Sequence, residues 1–236
     1  MRTEPFDAHP GELQVWAVRS RPPVGQGLRA WAGYLLGLVI RAFTAPHGGR
    51  YSHLLVRLGD AIWEAAAQGI REGRAVEYSD RRYVVDVFAV PVAGESLERV
   101  VGWMRASEGV AYDWPQLLRI ALAELGYDPD GCFVPDFGDA WLVCSEFVAL
   151  ACRAGGVDVL GETPLWRWTP DHILAAARAG RVTRRGRLTW PADARGGAGR
   201  CPVGGGVISA ATSSPNYAFS LPAREVCCRG RPVCLP

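Results

Sequence analysis

The feature that most constrains this chain is a turn. In GRYSHLLVRLGDAIWEAA, residues 49–66, the dipeptide Gly59-Asp60 separates two apolar runs, 51–58 and 61–66. A Gly-containing pair between such runs closes a two-residue β-hairpin, so the fold must contain antiparallel sheet. The turn also sets the register: Leu58 faces Ala61, Leu55 faces Glu64 and His53 faces Ala66. Alternation then places His53, Leu55 and Glu64 on one face, with Glu64 the diagonal neighbour of His53. A carboxylate at that position holds an imidazole in one tautomer and favours its charged form. The bland alternative is a histidine filling space at a sheet edge and a glutamate reaching water.

The remaining segments surround this hairpin. Strands are expected at 13–18 (LQVWAV) and 83–92 (YVVDVFAVPV). Helices are expected at 27–44, 95–109, 112–126, 141–156 and 169–180, with loops at 67–82 and 127–141. The order of strand, helix, hairpin, strand and helices predicts an α+β domain with an antiparallel sheet packed against helices. From about Pro191 the chain becomes Gly-, Ala- and Ser-rich without period. The expected organisation is therefore a folded domain over 1–190 and a disordered, Cys-containing tail over 191–236.

Charge narrows the function classes. All 26 basic residues are Arg, the net charge is only +2, and no basic stripe with interleaved aromatics occurs. This argues against a nucleic-acid partner. The longest apolar stretch, 30–40, is too short for a transmembrane segment, which needs about 20 residues. The polar start, MRTEPFDAHPGE, has no apolar signal core, which predicts a cytoplasmic protein with reduced thiols. The seven cysteines form no CxxC pair and there are four histidines, so zinc is not expected.

Among those cysteines Cys144 stands apart. LVCSEF places it at the start of a helix over 144–154, where free N–H groups and the positive dipole end favour a thiolate. Cys152 is eight residues further on, about 12 Å down the same helix, and reads as an inert core thiol. A buried thiol of that kind is also the plain alternative for Cys144.

Taken in order, YSHLLVRLGDAIWEA, VAYDWPQLL, VCSEFVALACRAGG and TPDHI resemble the permuted NlpC-type branch of the papain-like cysteine peptidases and amidases. That branch includes YiiX/YebB-like proteins and is related to the lecithin:retinol acyltransferases. The histidine here precedes the cysteine helix, as in the permuted branch, and the resemblance covers roughly residues 12–180. It implies a permuted papain-like fold with nucleophile Cys144, base His53 and third polar residue Glu64. Tyr112 matches a tyrosine of the family, with substrate binding or aromatic packing as its role. His47 and His172 match no catalytic position.

The chemistry implied is acyl transfer through a Cys thioester, with the backbone N–H of Cys144 helping to hold the oxyanion and no cofactor required. The leading expectation is a cysteine hydrolase of the amidase or peptidase kind, acting on a peptide or peptidoglycan fragment. A lipid acyltransferase or thioesterase acting on an acyl-lipid is the alternative within the superfamily. A papain-like module that binds without turnover is the alternative outside catalysis.

Overall fold

The computed structural model describes residues 12–23, 27–92, 94–127 and 141–188. Eight strands and five α-helices occur among them: β1 (Leu13–Ser20), α1 (Leu28–Phe43), β2 (His53–Leu58), β3 (Ala61–Ala66), β4 (Gly69–Arg74), β5 (Tyr83–Val90), α2 (Glu95–Ala106), β6 (Ala111–Tyr112), α3 (Trp114–Glu124), β7 (Trp141–Leu142), α4 (Cys144–Ala154), α5 (His172–Arg178) and β8 (Thr183–Leu188). The fold is α+β. Six strands form an antiparallel sheet in the order β4-β3-β2-β1-β5-β8, and β6 and β7 pair in parallel.

The hairpin has the expected register, with Leu58 opposite Ala61, Arg57 opposite Ile62 and Val56 opposite Trp63. Alternation sorts its side chains onto two cores. Leu54, Val56, Trp63 and Ala65 face the helix layer, packing with Val15, Phe88, Met104, Phe147 and Val148. Leu55 and Ile62 face the other way, joining Trp16, Val18, Val85 and Val87 in a smaller core beneath Tyr78 and Tyr83.

Several expectations need correction. The loop placed at 67–82 contains β4 and a 3-10 turn at Ala75–Tyr78. β8 was not foreseen. Both are the sheet's outer strands and are rich in Arg and Gly, a composition that blunts an edge against further pairing and erases the apolar alternation of a strand. The helix placed at 112–126 starts at Trp114, because Ala111 and Tyr112 are taken up by the bridge to Trp141 and Leu142. Asp113 caps it, its Oδ1 accepting from the Gln116 N–H at 2.8 Å. Of the segment placed at 141–156, the helix itself spans Cys144–Ala154, which puts Cys144 at its start as expected. The last helix spans only His172–Arg178, and α2 ends at Ala106. The domain boundary near 190, the tail and Cys132 lie outside the described residues.

Two glycines set the approach to β2. Gly49, at φ +57°, sits where a Cβ would meet the Arg41 carbonyl oxygen at 2.9 Å, so the chain turns tightly from α1 back to the sheet. Gly37 is buried against Ser52, whose Oγ lies 3.2 Å from where its Cβ would stand. Its bare backbone lets α1 lie close against the start of β2. The Asp171 carboxylate, just before α5, holds the same segment, accepting from the Arg50 N–H at 2.9 Å and the Thr44 hydroxyl at 3.2 Å.

Candidate active site

His53 is the first residue of β2 and stands at the end of the sheet. Glu64 lies within β3. The diagonal relation read from the turn is realised: His53 Nε2 lies 2.8 Å from Glu64 Oε2. Glu64 is 2 % exposed, and a buried carboxylate needs partners for its remaining lone pairs. Tyr78 donates its hydroxyl to Oε2 at 2.5 Å, and Arg71 Nη2 donates to Oε1 at 2.5 Å. Arg71 is held in turn by Glu77 at 2.9 Å. These donors come from β4 and the 3-10 turn, within the 67–82 stretch where the sequence predicts a loop. Burial pushes the Glu64 carboxyl up, but His53, Tyr78 and Arg71 outweigh it and bring it down to about 2.

Cys144 opens α4, where Glu146 Oε2 accepts from the Val143 N–H at 3.2 Å and closes the helix end. The thiol is buried, which disfavours its charge. The His53 cation, a hydrogen bond from that ring, the Leu54 backbone N–H and the Tyr112 hydroxyl together overcome burial and lower its pKa. His53 spends Nε2 on Glu64, so Nδ1 is the ring nitrogen left for the thiol. Burial works against a charged His53, and the Cys144 thiolate and Glu64 overcome it, raising the ring to about 10. The two shifts run in the same sense, so the pair favours thiolate and imidazolium. Cys152 has no such partners, and burial alone pushes it up to about 12.

Tyr112 is brought to the same point by the β6–β7 bridge. Burial first, then the adjacent Cys144, holds its hydroxyl well above the ordinary value, and that hydroxyl is in turn one of the groups that lower the pKa of the Cys144 thiol. Sequence reasoning left its role open; in the fold it touches the candidate nucleophile. Arg71 and Tyr78 were missed. The one available signal was the charge on Glu64 itself, which had to find donors once both hairpin strands were buried.

A cavity of about 710 Å³ lies beside the pair, with His53, Glu64, Tyr112, Trp114 and Tyr34 in its wall. Cys144 is 4 % exposed and does not line it. It borders instead a small apolar void of about 20 Å³ among Phe43, Leu117 and Ile120. His53 and Tyr112 belong to the cavity wall and are among the groups that lower the thiol's pKa, so the sulfur acts from just behind that wall.

His47 and His172 are drawn together away from this site, their rings 4.4 Å apart, with His47 Nε2 2.9 Å from Glu124 Oε1. Burial first, then the neighbouring His47, lowers His172 to about 4. No cluster of three metal-binding side chains occurs among the described residues. No described helix is long and apolar enough to cross a membrane. No known family model matches the chain, and no curated protein matches it.

Proposed function

We propose that this chain is a cysteine hydrolase of the permuted papain-like kind, cleaving an amide bond in a peptide or peptidoglycan-type substrate through a thioester on Cys144. The observation that carries the reading is the chain of contacts from Cys144 to His53 to Glu64, with the outer nitrogen of the ring fixed at 2.8 Å from a buried carboxylate. A packing histidine does not require a carboxylate that is itself held by two further donors.

In this reading the Cys144 thiolate attacks the substrate carbonyl. The Cys144 N–H and the Tyr112 O–H both donate to the oxyanion. Imidazolium at His53 protonates the leaving amine, and the neutral ring then takes a proton from water, whose oxygen displaces the acyl group from sulfur. Glu64 holds the ring in place throughout and stabilises its charged form. Acyl transfer from a lipid is the second reading, and the apolar outer surface of α1 beside the cavity favours it.

Intact-protein mass spectrometry with a panel of peptide, muropeptide and acyl-ester substrates tests the proposal. The expected result is a covalent acyl adduct on Cys144 that disappears in Cys144→Ala. Turnover that persists in Cys144→Ala would refute the mechanism, and the substrate that acylates decides between amide and lipid chemistry. Absence of any adduct, with Cys144 no more reactive than an ordinary thiol, returns the chain to a binding role.

A further inference from the structure

The face of α1 turned away from the sheet is apolar and uncovered. Leu28 is 90 % exposed, Leu35 53 % and Val39 49 %, and Trp31 and Leu38 are open beside them. Leu118 of the adjoining α3 is also exposed, at 53 %. Scattered exposed apolar residues are ordinary, but a contiguous helical face of this kind marks an interaction surface.

Charge selects the occupant. From Leu13 to Gly59 the sequence holds Arg19, Arg21, Arg29, Arg41, Arg50 and Arg57 and no Asp or Glu. Arg41 lies in the last turn of α1, and Arg21 shares the cavity wall with Gly33 and Gly37 of that helix. The nearby acid on α3, Glu124, is already paired with His47 at 2.9 Å. α1 has 16 residues, about 24 Å of helix, and is too short to cross a bilayer. Apolar side chains with an aromatic among them, a stretch of sequence that holds arginines and no carboxylate side chain, and insufficient length fit a helix that lies in the headgroup layer.

We infer that α1 docks this protein, by its Leu28–Trp31–Leu35–Val39 face, onto an anionic phospholipid surface. The opposite side of the same helix, at Ala30, Tyr34, Gly37 and Ile40, lines the cavity next to His53. Docking therefore brings that cavity to the lipid boundary. The inference stands without the catalytic reading, because its test measures binding and not turnover.

The experiment is flotation of the full chain with extruded vesicles of phosphatidylcholine, alone or mixed equally with phosphatidylglycerol. The protein is expected to float with the mixed vesicles and to bind the neutral ones about tenfold more weakly, the difference closing at high salt. Leu35→Glu with Val39→Glu should reduce binding about tenfold or more, with the circular dichroism spectrum and melting temperature unchanged. Leu28→Glu, at a side chain almost wholly in solvent, replaces that variant if it folds poorly. Arg21→Gln and Arg41→Gln should each weaken binding to the mixed vesicles about fivefold and leave neutral vesicles unaffected. Failure of the wild type to float overturns the inference. So does flotation that survives the glutamate substitutions, which would place the lipid contact elsewhere in the chain. Light scattering that shows a dimer dissociated by those substitutions assigns the face to a second copy and overturns it as well.

Discussion

Replacing Glu64 by Gln removes one charge from the centre of the candidate site and nearly preserves its shape. The magnitude follows from the carboxyl's position at about 2 against an ordinary 4.5, a gap of about 2.5 pH units. At 1.36 kcal/mol per unit, the buried pocket favours the carboxylate by about 3 kcal/mol. Burial opposes that net gain, and His53 is the foremost of the partners that overcome it, ahead of Tyr78 and Arg71, so the figure sets the scale of the support that the carboxylate gives to imidazolium. Loss of the charge should therefore lower the thiolate–imidazolium population by between about 10-fold and about 300-fold. The readout is the rate of Cys144 alkylation by iodoacetamide at pH 6, followed site by site by peptide mapping. Turnover on any substrate found should fall by about 10²–10⁴-fold, the usual range for lost acid–base assistance, with KM little changed. The amide retains an acceptor for Arg71 or Tyr78, and Arg71 is 43 % exposed and keeps its water, so the fold should survive. A variant that labels at Cys144 as fast as the wild type at pH 6 would show that Glu64 does not support the charge on His53. The third role would then fall to another group.

At pH 6 a brief limiting dose of iodoacetamide should modify Cys144 ahead of every other cysteine, Cys152 being held protonated, and His53→Ala should abolish that preference; equal labelling of all thiols would mean that the pair is not assembled. Glu64 is depressed on folding, so its contribution to stability is complete above its ordinary value of 4.5 and is lost as pH falls through about 2. Denaturant titrations across that window should show falling stability, and Tyr78→Phe, which removes a 2.5 Å donor to the carboxylate, should shift the loss to higher pH; coincident profiles would argue against the Tyr78 contact. Gly69→Ala forces a side chain onto a residue at φ +108°, with its Cβ 2.6 Å from the Val110 carbonyl oxygen. It should cost about 1–3 kcal/mol, measured by chemical denaturation, and an unchanged midpoint would remove the claim of crowding there.

The legibility of this fold follows the chemistry of its segments. The hairpin was readable because a two-residue turn admits one register, and from that register the His53–Glu64 contact followed without further information. Cys144 was readable because a helix N-terminus can be located by the residues around it. β4 and β8 were not, because an edge strand is built to repel further strands and GIREGR or TRRGRL carries charge where an inner strand carries Val or Ile. The donors to Glu64 were lost with them. Tyr112 falls within the helix expected at 112–126, since YDWPQLLRIALAELG reads as one segment with Pro115 tolerated in its first turn. The two-residue bridge to Trp141 and Leu142 is a long-range contact that local pattern does not report.

The turn at Gly59-Asp60 also orders events in time. The bond between His53 and Glu64 spans 11 residues of one hairpin, a unit of the kind that forms in about 1–10 μs. Cys144 belongs to a helix that follows three others in the chain, and it meets β2 only when the helix layer docks on the sheet. Contacts of such long sequence separation form late. The imidazole and its carboxylate are thus in place before the sulfur arrives, and a newly made chain holds an unactivated thiol until its tertiary structure is complete. Enhanced reactivity at Cys144 should consequently appear in the last kinetic phase of refolding, as a chemical clock for the docking of α4.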